Sequence, residues 1–227
     1  MELKWLWFDL DNTLLDFSSA SRKAFDSLFS DLGVIQDEHT YSTYSKINGN
    51  LWKQFEDEQI SAVEIRAQRF ALLFDALGVS GIEGLEANKI YMDNLVAFSE
   101  AYDGVQELLN GLKENYKLSI ITNGLKEAQR PRLRKTGIYD HFDSIVVSDE
   151  IGHSKPNSGI FEYTYQSIVS PPPKEEIMII GDSPQSDIKG GSQFGIKTCF
   201  INHSRPLNNN MSSDLIIENV LELENHL

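Results

Sequence analysis

Leu3 to Phe8 is an aromatic-rich, largely apolar run that stops abruptly at Asp9, and the same pattern returns along the chain. Leu118 to Ile121 ends at Thr122, Ile145 to Val147 at Ser148, and Ile177 to Ile180 at Gly181 and Asp182. Thr198 to Ile201 and Leu215 to Ile217 are shorter runs of the same kind. Strands that are apolar throughout are strands covered on both faces. Between them, Val105, Leu108, Leu109 and Leu112 repeat at helical spacing, as do Phe161, Tyr165 and Ile168. A third helix is expected from about Ser186 to Phe194, with Gly195 as its stop. Strands alternating in this way with amphipathic helices predict an α/β fold, a parallel Rossmann-like sheet with helices on both faces.

The stretch from Phe17 to Phe98 breaks the alternation. It holds no convincing strand. Ala24, Phe25, Leu28, Phe29 and Leu32 form one amphipathic stripe, Val63, Ala67, Phe70, Phe74 and Leu77 another, with breaks expected at Gly33, Gly49, Gly78, Gly81 and Gly84. Residues 1–16 and 99–227 are therefore expected to form an α/β core, and 17–98 an all-helical insertion that follows the first strand. Pro171-Pro172-Pro173 reads as a turn before a strand, and Leu207 to Ser213 as a polar loop.

Charge limits the partners. The chain carries 34 acidic and 20 basic residues, a formal net charge of −14. Such a surface repels phosphate backbones and anionic lipid, so neither polymeric nucleic acid nor a membrane is an expected partner. A small anion is still admissible at a locally positive site. Met1 to Leu10 carries two acids and its apolar run breaks at Asp9, unlike a secretory leader, and no stretch approaches the ~20 apolar residues of a membrane span. The expected location is the cytoplasm. Cys199 is the single cysteine, which excludes an intrachain disulfide, and it reads as a small buried residue of a strand.

In a parallel sheet, ligands bind outside the carboxyl ends of the strands. Polar groups collect there: Asp9 and Asp11, Thr122, Asn123 and Gly124, Asp182, and Lys155 just before a helix. Each alone has an ordinary explanation. Asp9-Leu10-Asp11 and Thr122-Asn123-Gly124 are acceptable turns, Lys155-Pro156 an acceptable helix start, and Gly181-Asp182-Ser183 an acceptable helix cap. Their joint occurrence at successive strand ends is not ordinary. The five histidines, His39, His141, His153, His203 and His226, show no metal-ligand spacing and read as surface or structural residues, with His153 notable for its closeness to Lys155.

With Asp9-Leu10-Asp11-Asn12-Thr13, Thr122 after an apolar strand, Lys155 before Pro156, and Gly181-Asp182-Ser183 followed by Asp187, the sequence resembles the haloacid-dehalogenase-like superfamily over nearly its whole length. The insertion after the first motif is similar to that superfamily's helical cap. The resemblance implies that Asp9 is a covalent nucleophile and Asp11 a general acid and base. It implies magnesium held by Asp9, Asp182 and the main-chain carbonyl of Asp11, with Asp187 supporting that shell. Thr122, Asn123, Gly124 and Lys155 are implied to hold the phosphoryl group.

Asp11 bears on the reaction. The superfamily's dehalogenases expel halide, which needs no proton, and lack a carboxylate there; Asp11 therefore favours phosphate ester hydrolysis. A phosphonate hydrolase would call for an imine-forming lysine, and Lys46, Lys53 and Lys89 read as solvated instead. Asn12-Thr13, the stretch Ile47 to Phe55, Arg69-Phe70 and Glu150-Ile151-Gly152 resemble the pyrimidine 5′-nucleotidase branch, implying a nucleoside monophosphate as the small phosphorylated substrate. The alternatives are a sugar-phosphate or phosphoglycolate-type phosphatase and a non-catalytic binding module. Trp52 is open to stacking on a base or to anchoring the cap on the core, and Asn48 to reading a base edge or capping a helix.

Overall fold

The computed structural model describes residues 2–203 and 212–227, so most of the polar loop expected over 207–213 lies outside the described residues. The chain divides into two compact units, Met1–Phe17 with Glu100–Leu227, and Ser18–Ser99.

The first unit is built on six strands: β1 (Trp5–Phe8), β2 (Lys117–Thr122), β3 (Ser144–Val147), β4 (Ile177–Gly181), β5 (Lys197–Ile201) and β6 (Leu215–Ile217). They form one parallel sheet in the order β3-β2-β1-β4-β5-β6. All six apolar runs of the sequence are strands. β1 lies at the centre, where the strand order reverses, and its last residue Phe8 is level with Ile120 of β2 and Ile180 of β4. That register brings Asp9, Thr122 and Asp182 to the same edge of the sheet.

The strands alternate their side chains between two cores. Leu6, Phe8, Leu118, Ile120, Met178 and Ile180 share one with α5 (Val105–Leu112). Trp7, Ile121, Ile177 and Ile179 share the other with α8 (Ser158–Gln166) and α9 (Gly190–Phe194), through Ile160, Phe161 and Phe194. Each of these fully buried side chains contributes on the order of 1.5–3 kcal/mol. Two local outcomes differ from the sequence pattern. The helix expected from Ser186 is a π-helical turn, Pro184–Lys189, continued by the short α9, with Gly195 at φ +90° as its stop. And α6 (Lys126–Lys135), between β2 and β3, was not legible as a helix at all: it is overwhelmingly polar and carries Pro131 inside, while a single helical turn, α7 (Ser148–Ile151), follows β3.

The second unit consists of helices, α1 (Phe17–Asp31, entering from the first unit), α2 (Glu38–Glu56), α3 (Ala62–Leu77) and α4 (Gly84–Phe98). Asp37 and Ser61 cap α2 and α3, each in a reciprocal box with the residue three further on. The α1 stripe buries Ala24, Phe25, Leu28 and Phe29. The α3 stripe is rotated from expectation: Val63 is exposed, and the buried face is Ala62, Ile65, Arg69, Phe70, Leu73 and Phe74. Admitting an arginine to the core face is what shifted it. Gly49 is no break, since it lies inside α2, whereas Gly33 and Gly78 adopt the left-handed conformation just after their helices. The interior is aromatic, with Phe70 between Tyr44 and Tyr91 at ring separations of 5.5 and 5.3 Å. Among the described residues no helix is long and apolar enough to cross a membrane.

Candidate active site

Asp9 is the first residue past β1, and its amide still donates to Ile180 O at 2.9 Å, which keeps it in line with the strand. Lys155 approaches from the loop before α8. Its buried ammonium donates to Asp9 Oδ1 at 2.7 Å and to Asp187 Oδ1 at 2.6 Å. Asn123, one residue past β2, holds the lysine main chain from both sides: its Nδ2 donates to Lys155 O and its Oδ1 accepts from Lys155 N, both at 2.7 Å. The side chain of Asn123 is thus committed to placing Lys155.

Asp187 arrives through the π-helical turn. Its own amide and that of Ile188 both donate to Ser183 O, and its Oδ2 accepts from Ser183 N at 3.0 Å. A Cβ on Gly181 would lie 2.2 Å from that Oδ2, so glycine is required there for the carboxylate to come so close. Asp9, Asp182 and Asp187 each place an oxygen within 4.8 Å of the others. Burial pushes the Asp9 carboxyl up to about 7 against the pull of Lys155, with Asp187 and Asp11 adding like-charge repulsion. Burial also raises Asp187, again opposed by Lys155. Burial works to lower Lys155, but its two carboxylate partners outweigh it and hold the ammonium above its usual range.

Among the described residues Asp9, Asp182 and Asp187 gather here, with the Lys155 ammonium bound to two of them. The donors are all hard oxygens, which fits magnesium or a similar hard cation and disfavours metals that seek nitrogen or sulfur. Asp187 belongs to the same cluster of oxygens as Asp9 and Asp182.

Asp11 points to a different set of partners. Its carboxylate is 2.6 Å from Arg132 Nη1, an ion pair whose angles fall outside those of a hydrogen bond, and accepts from Gln129 Nε2 at 3.1 Å. Gln129 Nε2 also donates to Thr122 Oγ1 at 2.8 Å, and Gln129 Oε1 accepts from Arg132 Nη1 at 2.7 Å. Gly124 makes this possible, because a Cβ there would lie 2.1 Å from the Gln129 amide. Sequence reasoning missed Gln129 and Arg132, both of which α6 supplies.

His153 is exposed, with its ring against Gly159, and has no place among these contacts. His203 Nε2 donates to Asn12 O at 2.6 Å, bracing the turn after Asp11, where Asn12 takes φ +57°. In the helical unit, Asn48 lies mid-helix in α2, whose cap is Asp37, so it caps nothing; its Oδ1 is 3.5 Å from Arg69 Nη1. Trp52 is half-buried, edge-on to Phe55 at 5.6 Å. Lys53 and Lys89 are exposed and paired with Asp57 and Asp93.

The haloacid dehalogenase-like hydrolase family matches residues 6–201. The chain belongs to this family. Pyrimidine 5′-nucleotidase YjjG of Escherichia coli is 31% identical over 99% of this chain and 97% of its own length. Pyrimidine 5′-nucleotidase PynA of Streptococcus pneumoniae is 34% identical over 89% of this chain and 85% of its own. The crystal structure of the HAD-hydrolase YfnB from Bacillus subtilis, bound to magnesium, matches with a TM-score of 0.93 at 31% identity, covering 100% of this chain and 99% of that one. The chain is accordingly an enzyme, a haloacid dehalogenase-like hydrolase of the phosphatase kind.

Proposed function

We propose that the protein is a magnesium-dependent phosphomonoesterase that works through an aspartyl phosphate on Asp9 and acts on pyrimidine nucleoside 5′-monophosphates, deoxynucleotides included. The observation that carries the reaction is the pairing of Asp9 with a buried Lys155 at 2.7 Å, with Asp11 two residues on and directed elsewhere. Asp9 Oδ attacks phosphorus, the bond from phosphorus to the ester oxygen breaks, and Asp11 gives the leaving alkoxide its proton. Asp11 then takes a proton from the water that attacks the aspartyl phosphate, releasing inorganic phosphate and restoring Asp9. Lys155 balances charge on the phosphoryl oxygens. Thr122 accepts from Gln129 and so turns its single O–H toward a phosphoryl oxygen, with the Asn123 and Gly124 amides beside it. Asp9, Asp182 and the Asp11 carbonyl, with Asp187 adjoining, are the groups to hold magnesium, which when bound relieves the repulsion between carboxylate and phosphate.

The substrate reading rests on the two nucleotidase relatives and on the helical unit as a cap, with Asn48 and Trp52 offering an amide and an aromatic face to a flat heterocycle. The test is a phosphate-release screen over nucleoside monophosphates, sugar phosphates and phosphoglycolate, with and without chelator. Pyrimidine nucleotides are expected to lead, chelation to stop turnover, and magnesium to restore it better than calcium, whose longer and more numerous bonds disturb in-line attack. A hexose phosphate or phosphoglycolate in first place overturns the substrate; full activity in chelator overturns the metal. Asp9→Asn is expected to fold and not turn over, and ordinary turnover by it overturns the covalent step.

A further inference from the structure

Gln129 and Arg132 stand three residues apart on α6, hence on one helix face, and both are buried. Their side chains are joined to each other, and both oxygens of Asp11 are taken up, Oδ1 by Arg132 at 2.6 Å and Oδ2 by Gln129 at 3.1 Å. The helix beneath them is fastened. Asp149 Oδ2 accepts from the Lys126 amide at its start, and Arg130 makes a two-pronged contact with Glu150 at 2.7 Å and reaches Ile145 O. The Arg132 guanidinium also lies 5.6 Å from the Phe17 ring centroid. The Asp11 backbone is held by a bridge to Leu15, while its carboxylate is partly open to solvent and takes its described contacts from Gln129 and Arg132.

We propose that Gln129 and Arg132 are positioning residues that hold the Asp11 carboxylate in register with the phosphate site for proton transfer. The inference rests on Asp11 as the general acid and base. The link to the phosphate site is direct, because the amide nitrogen that holds Asp11 also holds the Thr122 hydroxyl. Gly124 belongs to the same device, as the residue whose missing side chain admits Gln129.

The test compares phenyl phosphate with 2,4-dinitrophenyl phosphate, whose leaving group departs without a proton. The quantity read is kcat/KM, which reports the steps up to loss of the phenol. Arg132→Met is expected to lower it by about tenfold or more on phenyl phosphate, within the 10²–10⁴ of a whole general acid, and by less than about threefold on the dinitrophenyl ester; Gln129→Leu, which also releases Thr122, is expected to cost both esters, and phenyl phosphate about tenfold more than the dinitrophenyl ester. On an Asp11→Asn background Arg132→Met is expected to cost nothing further, since there is no acid left to position, and Gln129→Leu to cost both esters alike, through Thr122 alone. Equal losses on both esters with Asp11 present, or losses undiminished in the absence of Asp11, mean the pair is merely structural and overturn the inference. Asp11→Asn alone separates the two levels: if it fails equally on both esters, the acid role of Asp11 has failed, not only its positioning. Should Arg132→Met not fold, the excess loss of Gln129→Leu on phenyl phosphate over the dinitrophenyl ester, and its disappearance on the Asp11→Asn background, decides.

Discussion

Lys155 shows how much of a site one residue can organise. A fully buried ammonium is tolerable only when paired, and here it is paired twice, with Asp9 and Asp187, while Asn123 clamps its backbone. The sequence made Asp9, Asp11, Thr122, Lys155, Asp182 and Asp187 visible, because each adjoins an apolar run or a turn residue whose position in a parallel sheet is predictable. It could not show that the Asn123 side chain serves Lys155, since that contact spans 32 residues. The glycines are the other silent participants. Gly124→Ala is expected to drive Gln129 out of its place, since a Cβ there would lie within 2.1 Å of it. A displacement of the order of 1 Å at a reacting group costs about a hundredfold, so kcat/KM on phenyl phosphate is expected to fall by about that factor while the melting temperature shifts little. Unchanged kinetics would mean Gln129 has room to yield.

At the scale of elements, the legible parts are those whose burial is uniform. The six strands are apolar runs because both faces of the sheet are covered, and no other element imitates that pattern. α6 is the counterexample. Of its ten residues Ala128 and Leu133 are the buried apolar ones; Gln129 and Arg132 fill the remaining inward positions, and Pro131 removes a helical hydrogen bond. An inward face made of polar side chains has no hydrophobic period to read, so the helix and its two inward groups were missed together. The rotated stripe of α3 has the same cause in Arg69. β5 is the simpler case. Cys199 is fully buried there, and burial pushes its thiol up to about 12, with Glu222 a smaller contribution in the same direction. The thiol form is the one the fold favours, so this share of stability is complete below pH 9 and is lost as pH rises through 12. At pH 8 only on the order of one thiol in ten thousand is ionised. Native protein is therefore expected to resist iodoacetamide at pH 8, and urea-unfolded protein to be alkylated readily, as mass spectrometry would show. Rapid labelling of native protein would place Cys199 at the surface.

For the molecule as a whole, chain connectivity gives the helical unit a particular origin. The chain leaves the α/β unit after Phe17 and returns at Glu100, and the two crossings run side by side: Asp16 N donates to Glu100 O at 3.1 Å and Leu15 bridges to Ala101. A phosphate site alone treats all monoesters alike, so discrimination must come from groups that contact what is esterified to the phosphate. The net charge of −14 disfavours a polyanionic partner, and the proposed substrate is accordingly a small phosphate ester. If the helical unit is the source of discrimination, as the proposed function requires, a side chain on α2 should matter for one class of substrate only. Trp52 is the candidate, because it is a half-buried aromatic ring on α2, set perpendicular to Phe55, and an aromatic ring can stack on a base. Trp52→Ala is expected to lower kcat/KM for a pyrimidine nucleotide by about tenfold or more, the size of one lost stacking contact of 1–3 kcal/mol, and to leave phenyl phosphate within about twofold. Binding energy drawn from a remote part of the substrate is spent on reaching the transition state, so the loss falls on kcat/KM for the nucleotide alone. Equal losses on the two esters would assign Trp52 to the packing of the helical unit and leave the phosphatase chemistry of the other unit standing.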